Sequence, residues 1–396
     1  MTAIQNLRPW LQKLGDKVAA AQALGQNQQG GPSEEDEITE YSRFSLLQQH
    51  EALGVVLCRC IARRQATADD FSDFVAFLRK VDRYDSLLVH LMPAIGAYVT
   101  AFGSTEGGCD LIQVRQLNGK LFPADEPTWT LQFLHASVKA WWLAEYSGFY
   151  LDDPPEAAIP PNTDLDEEDR QRSKQFLDAL KDGAFDFLLS VAADVKPPDW
   201  HDPVRSSIHQ WLQRKSPALP TDSIPFAEYF QLILVKQLEV FVDAFISNLP
   251  DVLRKLRTEE DEQRQLSLAH EQDLDLERFL LIIAYAYEGR PTAAAEFFDD
   301  PDSNLAGFLQ WASRRASTPL VTAFCEMLQA LASDSPCATN VHYFLLDEGA
   351  HSSGKMRKAH SLTWSQIFKE IAFFLDKSRQ KPSQAQVSRY RGPKPT

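Results

Sequence analysis

Positive charge is in short supply in this chain. Its 396 residues carry 40 Lys or Arg against 55 Asp or Glu, a formal net charge of −15. Affinity for a phosphate backbone rests on basic side chains displacing counterions, so a broad nucleic-acid face is excluded and no direct nucleic-acid partner is expected. A local basic patch is not excluded by the total. Cysteine is equally sparse. The 5 residues, Cys58, Cys60, Cys109, Cys325 and Cys337, are odd in number, and none form the Cys-x-x-Cys pair of a redox or zinc site. They read as small core residues in a reducing compartment. No apolar run approaches the roughly 18 uncharged residues of a membrane span. Arg8 and Lys13 interrupt the apolar positions of Met1 to Gly15, which is therefore not a signal peptide.

Catalytic patterns are missing too. The 9 histidines include no His-x-x-x-His or His-Glu-x-x-His pair for helical zinc ligation, and no Gly-x-Ser-x-Gly elbow occurs. His201 lies between Asp199 and Asp202 as a solvated turn residue. Asp299, Asp300, Asp302 and Asn304 resemble the opening of a calcium loop, but Pro301 and the absent Gly and terminal Glu break it and leave helix capping. No catalytic residue, cofactor or metal is expected.

What is present is helix. Hydrophobic residues make up 44% and charged residues 24%, the balance of a folded chain rather than a disordered one. Leu7, Trp10, Leu11, Leu14 and Val18 form one stripe, and Phe44, Leu47, Leu53, Val56, Leu57 and Cys60 another. Thr67 with Asp69 and Asp70 caps a helix whose face is Phe71, Phe74, Val75 and Leu78. Leu87 to Phe102 is broadly apolar and contains Pro93, so a buried, kinked helix is expected. Asp110 to Leu117 reads as an irregular helix. Pro127 is expected to open a helix to about Phe149, and Phe176 to Val191 is expected to form one helix. Ile208, Trp211 and Leu212 mark a short helix, and Phe226 to Leu249 reads as a fully packed central one. Pro291 and Pro319 sit at first helical positions.

About a dozen helices with short connections and no convincing strand predict an all-α fold, an irregular α-helical solenoid of armadillo or HEAT-like stacked helices without a fixed repeat. Residues 1–150 read as a first helical module and 167–376 as a second. The proline-rich, acidic stretch 151–166 links them, and 377–396 form a basic tail. That tail holds Lys377, Arg379, Lys381, Arg389, Arg391 and Lys394 without an acidic residue, in a Pro, Ser and Gln background typical of disorder.

One segment imitates a nucleotide site. Gly349 to Lys355 has the Gly, four residues, Gly-Lys spacing of a phosphate-binding loop and follows the apolar run Val341 to Leu346. Met356 stands where the motif needs a hydroxyl for Mg²⁺, and the motif also needs a strand before it in a parallel sheet. Nucleotide binding through this loop is the alternative reading; the other is a polar loop whose Lys355, Arg357 and Lys358 meet an acidic or phosphorylated partner.

Several blocks together resemble a known family. They are LRPWL (Leu7 to Leu11), DRYDSLLVHLMPAIGAYVTAF (Asp82 to Phe102), LQFLHASVKAWWLAEYSGFY (Leu131 to Tyr150), FLQWASRRASTPLVTAFCEML (Phe308 to Leu328) and FLLDEGAHSSGKMRKAHSLTWSQIF (Phe344 to Phe368). In order and length they resemble the N-terminal domain of the nucleoporin 192/205 family, scaffold nucleoporins of the nuclear pore inner ring, in its filamentous-fungal form. The resemblance implies a non-enzymatic, nuclear-pore scaffold with a long helical solenoid. It also implies partners: other scaffold nucleoporins, and linker nucleoporins of the nucleoporin 53/35 and nucleoporin 93 (Nic96) types, whose short segments dock on the solenoid. Family members are several times longer, so the chain is expected to be a section of such a solenoid, with the nucleoporin 93-type site on the distal half. A helical-repeat adaptor outside the pore is a further alternative. For peptide docking the aromatic pair Trp364 and Phe368, four apart and capped by Ser361, is the expected anchor, with Lys355, Arg357 and Lys358 beside it.

Overall fold

A computed structural model describes residues 3–26, 34–81, 87–123, 125, 127–152, 154–195, 226–265, 275–314, 318–346 and 361–380. Among these residues there are sixteen α-helices, two short 3₁₀ turns and no strand, apart from one isolated antiparallel bridge between Arg314 and Ser361. The fold is an all-α helical solenoid. No helix among the described residues is long and apolar enough to cross a membrane.

The helices are α1 (Ala3–Gln26), α2 (Glu34–Ala62), α3 (Ala68–Leu78), α4 (Leu88–Gly103), α5 (Leu111–Leu121), α6 (Gln132–Tyr146), α7 (Leu165–Lys181) and α8 (Ala184–Asp194). They continue as α9 (Glu228–Asn248), α10 (Pro250–Gln265), α11 (Asp275–Tyr287), α12 (Pro291–Asp299), α13 (Asn304–Ala312), α14 (Thr318–Leu331), α15 (Ser335–Leu345) and α16 (Trp364–Gln380). Packing progresses along the chain: α1 on α2, α2 on α4, α4 on α6, α6 on α7 and α8, α8 on α11, α11 on α14, and α14 on α15. Helix α9 runs alongside this series, touching α2, α4, α6, α11 and α13. A single cluster of buried apolar side chains extends from Leu11 to Leu362 and includes residues on both sides of 151–166.

Local chemistry accounts for the boundaries. Thr67 and Asp70 form a reciprocal capping box at α3, and Phe71, Phe74, Val75 and Leu78 are all buried. Asp110 and Gln113 make the same box at α5, so the stretch read as irregular is a regular helix burying Leu111, Val114, Leu117 and Leu121. Pro127 does not open α6. The Thr130 N–H is instead held by the Arg79 carbonyl at 3.0 Å, and Trp129 stacks on His135, so the chain stays extended until Leu131. The expected single helix from Phe176 to Val191 is two. Gly183 adopts φ 92°, a left-handed conformation that costs other residues about 1 kcal/mol, and turns the chain between α7 and α8.

Close approach of α2 to α4 also depends on glycine. A Cβ at Gly54 would sit 2.2 Å from the His90 carbonyl oxygen, so no larger residue fits without moving a helix. The buried face of α2 includes Leu47 and Leu57, as read from the sequence, together with Val55, Cys58 and Ile61; of the expected stripe Val56 is the residue left exposed. Trp10 is likewise exposed, while Leu7, Leu11 and Val18 on the same helix are buried. Helix α9 is central but not fully enclosed, with Tyr229 and Leu232 facing solvent. Around the acidic connector, Arg115 makes a bidentate pair with Glu168 at 2.7 Å and donates to the Tyr150 hydroxyl at 2.6 Å, while the Arg172 guanidinium lies 3.6 Å from the Tyr150 ring centre. Helices α5 and α7 are thereby tied across the connector.

Candidate functional site: an uncovered face on the last helix

Helix α16 carries the expected aromatic pair. Its apolar residues Trp364, Ile367, Phe368, Ile371 and Leu375 recur at helical spacing and share one face. The first turn is anchored: Trp364 and Ile367 pack partly against the main core, and the Leu362 N–H donates to the Ser313 carbonyl at 2.7 Å. Beyond that turn the face is open. Phe368 is 62% exposed, Ile371 49% and Leu375 53%. Isolated exposed apolar side chains are ordinary, but three along one stripe form a surface that water covers poorly.

The cap differs from the expected one. Thr363, not Ser361, closes the helix: the Thr363 N–H donates to Gln366 Oε1 at 3.2 Å and the Gln366 N–H to Thr363 Oγ1 at 3.4 Å. Ser361 is occupied in the bridge with Arg314. The Trp364 ring lies 5.9 Å from that of Phe368 and 6.2 Å from that of His342 on α15. His342 is in turn 5.9 Å from Tyr343, which is exposed. These two residues extend the aromatic surface from α16 onto α15, and no motif or periodicity in the sequence marks them. The Trp364 indole N–H is enclosed with no acceptor, an unmet donor within this surface.

Lys355, Arg357 and Lys358 lie outside the described residues, as do the Gly349 to Lys355 loop, His201, and the Ile208 to Leu212 segment. The run Val341 to Leu346, which a phosphate-binding loop needs as a strand, belongs largely to α15. The nucleotide reading therefore loses its structural condition. No group of three or more His, Cys, Asp or Glu side chains among the described residues is placed to hold a metal ion.

Burial shifts several ionisable groups elsewhere in the body. His50 and His90, facing each other across α2 and α4 with Nδ1 atoms 3.0 Å apart, are pushed down to about 4 and about 3 by desolvation, with His50 adding to the effect at His90. Glu145 on α6 is pushed up to about 7, chiefly by burial, although the Thr100 hydroxyl lies 3.4 Å from it. Loss of water raises the Cys58 thiol to about 12, which leaves it unreactive.

A stacked array of helices has the architecture of a scaffold. Comparison with known proteins makes that class specific. The family model described as nuclear pore complex scaffold, nucleoporins 186/192/205, matches residues 1–396. The chain is 56% identical over 397 aligned residues to nucleoporin NUP192 of Chaetomium thermophilum, an alignment covering 100% of this chain and 22% of that protein. It is 26% identical over 167 residues to nucleoporin nup186 of Schizosaccharomyces pombe, covering 39% of this chain and 10% of that protein. The chain belongs to the nucleoporin 186/192/205 family of nuclear pore complex scaffolds, a structural and non-enzymatic family, which places it at the nuclear envelope. It spans about a fifth of the length of its Chaetomium relative.

Proposed function

We propose that the chain is a section of the inner-ring scaffold of the nuclear pore, that it contacts other scaffold nucleoporins, and that the α16 face receives a short segment of a linker nucleoporin of the nucleoporin 53/35 type. The observation that carries the docking reading is the stripe of Phe368, Ile371 and Leu375, exposed on a helix whose first turn is fixed to the core. An amphipathic segment laid along the stripe removes these side chains from water. Each fully buried side chain of this size contributes about 1.5–3 kcal/mol before the cost of ordering the segment. Trp364 supplies a rigid aromatic wall and an unmatched donor at one end. Lys355, Arg357 and Lys358, shortly before α16 in sequence, supply positive charge for an acidic or phosphorylated flank of the same segment. The family resemblance ties the nucleoporin 93-type partner to the distal half of longer members, and the α16 face is not assigned to it. The two modules, 1–150 and 167–376, form one support for this face.

Calorimetry of the full chain with a nucleoporin 53-type linker segment tests this. Binding should weaken by at least about tenfold in Phe368→Ser and in Trp364→Ala. Unchanged affinity in Phe368→Ser, with the helical circular dichroism of the wild type, rejects the α16 site. No heat with a folded wild-type chain rejects the partner.

A further inference from the structure

Helix α2 carries a second uncovered face. With 29 residues it extends about 43 Å, and its inner side is occupied by α1, α4 and α9. The outer side runs at steps of three and four residues along a stripe about 100° wide. On that stripe Ile38 is 66% exposed, Tyr41 74% and Val56 43%. Ser45 and Ala52 lie between them, small and half-buried, and Gln48 and Gln49 are exposed at the midpoint. Arg59 and Arg63 complete the line, both exposed. The Arg63 N–H donates to the Arg59 carbonyl at 3.1 Å, so helical register holds to this end.

The ends of the stripe carry opposite charge. The sequence places Glu34, Glu35, Asp36 and Glu37 in the first turn, with Glu34 on the stripe and Glu37 at its edge. At the other end neither Arg59 nor Arg63 has an ion-pair partner among the described residues. The helix dipole favours this polarity, but it gives no reason for three large apolar side chains on the same line.

Reversed, the stripe complements itself. A second α2, turned about a two-fold axis through the midpoint between Gln48 and Gln49, sets Ser45 opposite Ala52 and Tyr41 opposite Val56. The same rotation sets Ile38 opposite Arg59 and Glu34 opposite Arg63. Small side chains at the centre let the two backbones approach, and an aromatic meets a branched side chain on either flank. Ile38 covers the aliphatic stem of Arg59, and opposite charges meet at both ends. A parallel copy would instead oppose Glu34 to Glu34 and Arg63 to Arg63.

We propose that the outer stripe of α2 is a homodimer interface, occupied by the same stripe of a second copy of this chain running antiparallel. Charge complementarity selects this occupant. An acidic segment of another protein would match the Arg59 and Arg63 end and meet repulsion at the Glu34 to Glu37 end, and a basic segment would do the reverse. A second copy matches both. One pair of helices covers less than the roughly 1,200–2,000 Å² of a stable complex, so the dimer is weak and forms reversibly at about 10–100 μM.

Sedimentation velocity of the full chain from about 2 to about 200 μM should show a monomer passing into a dimer. A folded chain that stays monomeric throughout would overturn the proposal. Tyr41→Ser removes an exposed ring, so it should melt as wild type and weaken association at least about tenfold. Unchanged association in this variant would also overturn the interface. Charge reversal tests the antiparallel register. Arg59→Glu/Arg63→Glu and Glu34→Lys/Glu37→Lys should each be monomeric alone, because like charges then meet at both ends. Their equimolar mixture restores opposite charges at both ends and should dimerise within about threefold of wild type. Two folded variants that fail to pair in the mixture would overturn the antiparallel arrangement. Phe368→Ser should leave association unchanged. Loss of the dimer in that variant would assign self-association to the α16 face and overturn the α2 interface.

Discussion

Helices α11 and α16 are both rich in large apolar side chains, yet one is enclosed and the other is largely open. In α11 every residue from Leu276 to Tyr287, apart from Glu277, is buried, with α8, α9, α10, α12 and α14 packed around it. In α16 the first turn packs on the core, and the stripe of Phe368, Ile371 and Leu375 then runs out into solvent. The difference lies in neighbours rather than in composition. Apolar content records that a surface needs covering, and only the packing shows whether the chain itself covers it. In a solenoid each helix meets only its local neighbours, so a stripe of this kind can be left uncovered by the chain itself.

The most severe way to break the comparison is to empty the enclosed helix. Phe279 in α11 is 0% exposed and has the rings of Phe185, Phe245 and Phe308 within 4.7–5.7 Å. Phe279→Ala removes that ring and leaves a cavity among aromatic walls that cannot close on it. We expect a loss of about 3–5 kcal/mol, read as a lower denaturant midpoint at unchanged slope. A loss under 1 kcal/mol would mean that α11 is not the packed centre described here.

Protons probe the enclosed part more gently. The folded pKa of Glu145 is raised to about 7 from 4.5, so the folded chain holds a proton there that the unfolded chain releases. Its contribution is present below about 4.5 and is lost as pH rises through about 7, on the order of 3 kcal/mol in all. The histidine pair acts in the opposite direction. His50 and His90 are lowered from 6.5 to about 4 and about 3, so their contribution is full above 6.5 and is lost as pH falls towards those values. Glu145→Gln should therefore stabilise the chain at pH 8 by about 1–2 kcal/mol and by less at pH 5, measured by urea denaturation at both values. Equal effects at the two pH values would place Glu145 in contact with water.

Much of the enclosed part can be read from sequence, because local rules and packing agree there. Thr67 and Asp70 announce α3, and Phe71, Phe74, Val75 and Leu78 mark the face that is buried. Asp110 and Gln113 carry the same capping signal for α5, but the alternation of Ile112 and Val114 obscures it. The α7–α8 break escapes periodicity because apolar spacing continues through the turn at Gly183. Faces are harder than elements: Val56 and Trp10 fit their stripes and still point to solvent, since the Gly54–His90 contact brings α2 close to α4 and no described residue covers Trp10. For the candidate site, Trp364 and Phe368 were legible as an i, i+4 pair, whereas their unequal exposure depends on where the core ends. His342 and Tyr343 join them only through the packing of α15 and α16.

The smallest expected effect sharpens the comparison most. Phe368 has the same side chain as Phe279, but it is 62% exposed and its closest ring is Trp364 at 5.9 Å. Phe368→Ser gives up little burial, because most of that ring is in water in both the folded and the unfolded chain. Thermal and urea denaturation should move by no more than about 0.5 kcal/mol, within the usual range of a surface substitution. Set beside about 3–5 kcal/mol for Phe279→Ala, this near-silence would show that the α16 stripe is dispensable for folding. Selection for stability alone then gives no reason to keep a phenylalanine there, and the reason lies in whatever covers it. A destabilisation above about 1.5 kcal/mol would mean instead that the stripe is packed in solution by part of this chain, and the docking face would be lost with it.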